Sequence, residues 1–247
     1  DFVGAPVFRF HGSHEAGNSL WKVGNGGVSL RKTAAFLTLF DRPMPLGTYP
    51  FFIKNIRLKI MADEIIIQAE RSGLGKADFY YWRYQYELGR DIIVPYFQKN
   101  ICEIKNKIIA EIGSAEGGVL HSFLRAGAEY GLGTDIAENR LESGRKVSSA
   151  TQLNVEFTSH NILSDEIPQK WQNYFDIVIL RDVIEHLSDT EQALTQIRQL
   201  LQNDGILYVT FPPYRSPYGG HQHTLAGNFL TKLPYIHLLP DFIFKKI

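Results

Sequence analysis

Glu111 closes the apolar run Lys107-Ile-Ile-Ala-Glu111-Ile and stands two residues before Gly113, after which the chain breaks into Ser114-Ala115-Glu116-Gly117-Gly118. An apolar run that ends in an acid and then in small residues reads as a buried strand feeding a tight turn and a helix, here Val119 to Ala126. Free N–H groups at the start of such a helix make a nucleotide-binding corner. A carboxylate at the strand's tip accepts hydrogen bonds from an ammonium group and repels a diphosphate, so the acid favours a ligand with an amino-acid moiety. Downstream, Glu129-Tyr-Gly-Leu-Gly-Thr-Asp135 is a short strand that also ends in a carboxylate, placed to accept both hydroxyls of a ribose or to cap the helix from Ala137 to Ser149.

Three further groups carry chemistry. Asn154-Val-Glu-Phe-Thr158 alternates as a strand, and Asn161 with Ile162 follows its exit, where an Asx-turn explains Asn161 without a ligand. Arg181-Asp182-Val-Ile-Glu185-His186-Leu187 leaves the carboxyl end of the apolar strand Phe175–Leu180, where ligands of open α/β sheets collect. Asp182, Glu185 and His186 group three potential ligands for a divalent cation, but the same letters also cap and orient a loop, and no metal is expected. Beyond Pro212-Pro213, His221 and His223 sit in a loop with a Gly-Gly turn; either imidazole titrates near neutral pH and is a candidate general base, or both are solvent-facing bystanders.

Glu111-x-Gly113-x-Ala115-x-Gly117 resembles the first motif of the class I S-adenosylmethionine-dependent methyltransferases, with Ala115 where the middle glycine usually stands. Gly133-Thr-Asp135 matches that family's second motif, and Val183-Ile-Glu-His-Leu187 resembles the motif after its fourth strand, in the same order and register. The resemblance implies S-adenosyl-L-methionine as cofactor. Glu111, Gly113, Ala115 and Gly117 would hold the methionine moiety, Asp135 the ribose, Asn161 and Ile162 the adenine, with Asp182 bordering the same space. It also implies that the helix before the first strand covers the cofactor or shapes the acceptor pocket, which makes Tyr81, Trp82 and Tyr86 conceivable substrate contacts; an aromatic stripe is otherwise plain core. Gly113-x-Ala115-x-x-Gly118 approximates the dinucleotide fingerprint as well, so an NAD-dependent oxidoreductase is the rival reading, and a truncated cofactor-binding shell without turnover a third.

The elements that must position these groups alternate. A helical stretch over Ala62–Arg71 and an aromatic-rich one from Asp78 past Pro95 precede the first strand. Ser188-x-x-Glu191 reads as a capping box, the stripe Ala193, Leu194, Ile197, Leu200 and Leu201 as a helix stopped by Asn203-Asp-Gly205, and Gly205–Phe211 as the fifth strand. Five strand and helix units in alternation predict an α/β fold with a doubly wound, mostly parallel, Rossmann-like sheet. No strand pair follows to form an antiparallel edge, and the first and last residues both read as cut ends, which predicts truncation at the C-terminus.

Residues 1–60 form a separate Gly/Pro-rich block, with the methyltransferase-like domain expected over 62–247 and a boundary near 55–75. Phe2-Val-Gly-Ala-Pro6 and Val23-Gly-Asn-Gly-Gly-Val-Ser-Leu-Arg31 resemble two stretches of a bacterial nucleotide-sugar glycosyltransferase-like family, although no Asp-x-Asp metal motif occurs. Such a neighbour suits a sugar or polysaccharide hydroxyl as methyl acceptor beside the small-molecule alternative.

Composition sets the outer bounds. The 247 residues are 44% hydrophobic and 13% aromatic, ample for a packed core. Lys plus Arg and Asp plus Glu are both 26, so no basic field argues for bulk nucleic-acid binding. Cys102 is the only cysteine, which rules out an internal disulfide, and no apolar run spans a bilayer; a cytoplasmic location is expected.

Overall fold

The computed structural model describes residues 7–9, 63–211, 230 and 233–239. The glycosyltransferase-like stretches of the N-terminal block and the loop bearing His221 and His223 therefore lie outside the described residues.

Six strands form one sheet: β1 (Val7–Arg9), β2 (Ile108–Ile112), β3 (Tyr130–Asp135), β4 (Val155–Ser159), β5 (Phe175–Arg181) and β6 (Leu201–Thr210). Their order is β1-β6-β5-β2-β3-β4, with β2 to β6 parallel and β1 antiparallel on the edge of β6. This is the doubly wound Rossmann-like sheet predicted above. The antiparallel edge that the sequence leaves empty after β6 is filled by Val7–Arg9, from the other end of the chain.

Strand β2 is the first of the parallel strands in the chain and has β3 on one side and β5 on the other, so the strand order reverses there. Ligands of such sheets bind outside the carboxyl ends at that point. Alternation along the strands feeds two cores. Ala110, Ile112, Val178, Leu180, Leu207 and Val209 face helix α6 (Thr190–Leu200), whereas Ile109, Ile177, Ile179, Ile206 and Tyr208 face α3 (Val94–Asn100) and α4 (Gly118–Arg125). Burial on both faces explains why β2 and β5 read as continuous apolar runs.

The helical segments before β2 are α1 (Glu64–Glu70), α2 (Lys76–Leu88), a π turn (Gly89–Ile93) and α3. The sequence predicts one continuous helix past Pro95. Pro95 falls in the first turn of α3 and has no N–H to donate to the carbonyl four residues back, and the wider π turn ends where α3 begins. Asp63 caps α1 by accepting from Ile65 N, and its other oxygen accepts from Tyr86 Oη and Arg90 Nη1, both at 3.0 Å. Trp82 and Tyr86 are fully buried and stacked at 5.1 Å, so these two aromatics are core rather than substrate contacts; Tyr81 stays exposed.

Two local expectations are corrected. The N-cap of α6 is Asp189, which accepts from Gln192 N at 2.9 Å, instead of Ser188 in a capping box. Asp is as good a cap as Ser, and the choice between neighbours falls to the chain's exit from the preceding turn. Helix α6 also stops at Leu200, before Asn203-Asp-Gly205, and those residues form an irregularity within β6: Phe175 pairs with Leu201, but Ile177 pairs with Ile206. Asp204 absorbs the extra length at φ 62°.

Helix α2 rests directly on the start of α4. A methyl group on Gly118 would sit 2.5 Å from the Trp82 carbonyl oxygen and 2.8 Å from Tyr86 N, both backbone atoms that cannot swing aside. Gly118→Ala is expected to lower unfolding stability in urea by about 3 kcal/mol, the upper part of the range for overpacking. Gly73→Ala, at φ +82° with open space around it, should lose only about 1 kcal/mol. Equal losses would show that the α2–α4 approach is not the constraint.

Candidate cofactor site

The turn between β2 and α4 needs left-handed backbone at Gly113, Ala115 and Gly117, with φ of 69°, 50° and 71°. Ala115 thus takes a conformation that glycine adopts freely and alanine only at about 1 kcal/mol. Alanine therefore stands here in a backbone conformation suited to glycine. The Ala115 N–H donates to Asp135 Oδ2 at 2.9 Å, and Ala137 N–H donates to Asp135 Oδ1 at the same distance. One carboxylate thereby ties the β2 turn to the end of β3 and leaves further lone pairs on both oxygens. Gly117 caps α4, and a methyl group there would strike the ring of Phe157.

Glu111 lies beneath this turn, with 2% of its surface exposed, and its Oε2 accepts from Leu120 N at 3.1 Å in the first turn of α4. The side chain is drawn under the helix instead of standing out at the strand's tip. Burial pushes its pKa up to about 7; the Arg181 guanidinium and the Leu120 N–H pull it down, and the Asp135 carboxylate pushes it up. Arg181 ends β5 two positions beyond Ile179, the residue paired with Glu111, so both point to the α4 side of the sheet.

Asp182 follows at φ 53°, with Oδ2 2.7 Å from Arg181 Nη1 and Oδ1 accepting from Thr210 Oγ1. Asn161 uses its side-chain oxygen to accept from Leu163 N at 2.9 Å, the Asx-turn alternative, while its own N–H donates to Asp165. Ile162, expected on the adenine ring, is only 4% exposed and belongs to the core with Leu132 and Trp171. The apolar side chain open at this rim is Ile136, 74% exposed beside Asp135. The structure thus gathers Glu111, Gly113, Ala115, Gly117 and Asp135 around one turn, with Asp182 and Asn161 on neighbouring strand exits.

Sequence reasoning missed six participants, Ile136 and the five residues that follow. Five buried side-chain atoms lack a hydrogen-bond partner among the described residues: Ser114 Oγ, Glu116 Oε2, Thr134 Oγ1, His160 Nε2 and Arg181 Nε. All five lie at or just beyond the carboxyl ends of β2, β3, β4 and β5, along the rim where a ligand of this sheet belongs. Native proteins rarely leave such atoms unpaired, so their concentration marks a rim built for a polar ligand. Glu116 is also 3.8 Å from Arg140 Nη1, beyond hydrogen-bond reach, and its pKa is raised by burial. A charged residue closing an apolar strand was the available signal for Arg181, and an isoleucine in an otherwise polar loop the signal for Ile136. Among the described residues no three His, Cys, Asp or Glu side chains converge as a metal site.

A family model described as "Methyltransferase domain" matches residues 110–207. An uncharacterized protein of Haemophilus influenzae is 24% identical over 105 residues, which are 42% of this chain and 41% of the relative. The ubiquinone biosynthesis O-methyltransferase of Coxiella burnetii is 24% identical over 134 residues, 54% of each chain. This chain thus spans about half the length of these curated relatives. A solved SAM-dependent methyltransferase from Aquifex aeolicus superposes with a TM-score of 0.43 at 15% identity, covering 50% of this chain and 65% of that one. The matched segment runs from within β2 to within β6 and takes in the turn, Asp135 and Asp182. Over residues 110–207 the chain is similar to a methyltransferase domain, laid out here on a Rossmann-like sheet, and S-adenosyl-L-methionine is the cofactor which that similarity implies.

Proposed function

We propose that this protein transfers the methyl group of S-adenosyl-L-methionine to a hydroxyl of a small molecule or sugar. The observation that carries the reading is the rim of buried, unpartnered polar atoms from Ser114 to Arg181, bracketed by two carboxylates with different environments. Asp135, held by two backbone N–H groups, keeps lone pairs for the ribose hydroxyls. Ile136 offers the apolar surface for the adenine that the buried Ile162 does not. Glu111 gains from a cation, because a buried carboxylate with a raised pKa is stabilised when an ammonium group approaches it. Arg181, with its Nε unsatisfied, is the matching group for the methionine carboxylate.

The cofactor supplies an electrophilic methyl group on a sulfonium, which leaves readily. The protein's part is alignment: the acceptor oxygen must lie in line with the methyl carbon and the sulfur. His221 or His223 is proposed to take the acceptor's proton, and both lie outside the described residues. A hydroxyl acceptor is supported by the O-methyltransferase named among the relatives, and a sugar by the glycosyltransferase-like stretches before residue 60.

Calorimetry with S-adenosylhomocysteine and with NAD tests the reading. Micromolar binding of the first and none of the second is expected, with Asp135→Ala weakening it at least tenfold; binding of NAD alone would defeat the proposal.

Glu111 gives a pH-dependent test. Its folded pKa, about 7, lies above the ordinary carboxylate value, so the folded state holds this proton more tightly than the unfolded one. Stability is therefore lost as pH rises through that interval, and the penalty is complete above pH 7. The shift corresponds to on the order of 3 kcal/mol. Glu111→Gln, whose amide oxygen can still accept from Leu120 N, should be more stable than the parent at pH 8 by roughly that amount. The gain should vanish toward pH 4.5. The same protonation predicts that S-adenosylhomocysteine affinity of the parent rises about tenfold from pH 6 to pH 8, since an ammonium group selects the carboxylate form. A flat affinity profile would remove Glu111 from the ammonium site.

A further inference from the structure

His121 lies in α4, one turn after Gly117, with none of its surface exposed. Burial lowers its pKa to about 4, so the ring is neutral at physiological pH and carries one N–H. Its two nitrogens meet three helices. Nδ1 is 3.2 Å from Trp82 Nε1 on α2 and 2.7 Å from the Gly117 carbonyl oxygen, and Nε2 is 3.0 Å from Ser148 Oγ on α5 (Glu138–Thr151). The indole N–H is donor only, so Nδ1 must accept from it. Nδ1 then has no proton to give Gly117, whose carbonyl is already served by the His121 backbone N–H at 2.9 Å. The remaining proton sits on Nε2 and goes to Ser148 Oγ, which donates in turn to the Gly144 carbonyl at 2.8 Å.

That assignment satisfies every donor in the chain and sets two acceptors, Nδ1 and the Gly117 carbonyl oxygen, against each other at 2.7 Å. The opposite tautomer strands the indole N–H of Trp82 at a fully buried position, where an unmet donor is costly. Around the polar chain the packing is close: the His121 ring meets Trp82 edge-on at 5.9 Å and Phe157 at 5.6 Å, and that phenylalanine fills the space a side chain at Gly117 would need.

We propose that His121 is a positioning residue for the cofactor turn: the relay from Trp82 through His121 and Ser148 to Gly144 clamps α2 and α5 onto the first turn of α4, and so fixes the Gly117 peptide. The inference rests on the reading of that turn as the cofactor site. His121 touches neither cofactor nor acceptor; it acts through its own backbone N–H on the Gly117 carbonyl and through the α2 helix seated on Gly118. A histidine serving only as core packing would be replaceable by any ring of similar size without effect on the ligand, whereas a clamp is sensitive to the loss of one donor at Trp82.

The test uses the full chain and S-adenosylhomocysteine as probe. In Trp82→Phe the stacking surface is kept and the donor is lost, so the ring proton is free to move from Nε2 to Nδ1 and be donated to the Gly117 carbonyl. His121→Phe removes both nitrogens, and His121→Asn restores an acceptor near the Nδ1 position. Nitrogen NMR of the histidine rings should show the Nε2–H tautomer at His121 in the parent and a change toward Nδ1–H in Trp82→Phe. Calorimetry should show affinity about tenfold weaker in Trp82→Phe and in His121→Phe, the double variant no weaker than either single one, and partial recovery in His121→Asn.

An Nδ1–H tautomer in the parent overturns the relay. Binding by the parent with unchanged affinity in both phenylalanine variants overturns the clamp and leaves the cofactor reading standing. A parent that binds no S-adenosylhomocysteine defeats the cofactor reading and takes this inference with it. Should His121→Phe fail to fold, Trp82→Phe decides alone.

Discussion

A carboxylate buried under the first turn of a helix governs this site. Glu111 is held by one backbone N–H and by the field of Arg181, and these do not fully offset its desolvation, since its pKa is still raised to about 7. An enzyme with no use for the charge would be better served by an apolar side chain or an amide here. Keeping an acid at the junction of β2 and α4 therefore stores a preference for a cation at the ligand rim. The unpartnered atoms at Ser114, Glu116, Thr134, His160 and Arg181 point the same way, because each loses hydration on folding without a protein group in return. Stability has been given up along one edge of the sheet, and that edge is where the strand order reverses.

The second carboxylate works differently. Asp135 is tied down by Ala115 and Ala137, so its two oxygens have fixed directions before any ligand arrives. It accepts two backbone hydrogen bonds, whereas the more deeply buried Glu111 accepts one. Two acids at the ends of adjacent strands thus differ: one is an acceptor held by two backbone N–H groups, the other a buried group with a raised pKa. The left-handed Ala115 belongs to the same arrangement, since its backbone conformation turns its N–H onto Asp135.

Strand β2, the turn, β3 and β5 were legible because each couples a strong apolar run to a break, and a run buried on both faces leaves few alternatives. Orientation was harder to read. Periodicity places Ile162 just after β4 but cannot say that it turns into the core with Trp171 while Ile136 stays outside. Asn161 was ambiguous on local chemistry, and a local bond to Leu163 occupies its oxygen. The bulge in β6 and the edge strand Val7–Arg9 escape for another reason, because both depend on partners far away in sequence. For Trp82 and Tyr86 pocket and core both stayed open, because aromatic content does not reveal which face of a helix meets its neighbour.

Helix α2 then becomes part of the site without contributing a ligand. Gly118 lets its backbone approach α4 to a distance no side chain would permit, so the first turn of α4 cannot shift unless α2 shifts with it. Asp63 extends the coupling by accepting from both Tyr86 and Arg90, which joins α1 and the π turn to the same block. Any ligand that reorients the N–H groups at the start of α4 must therefore move this helical layer as a unit. The layer presents Tyr80, Tyr81 and Tyr84 on its outer side and Trp82 with Tyr86 on its inner one. The turn and this helical layer are thus mechanically linked through one glycine.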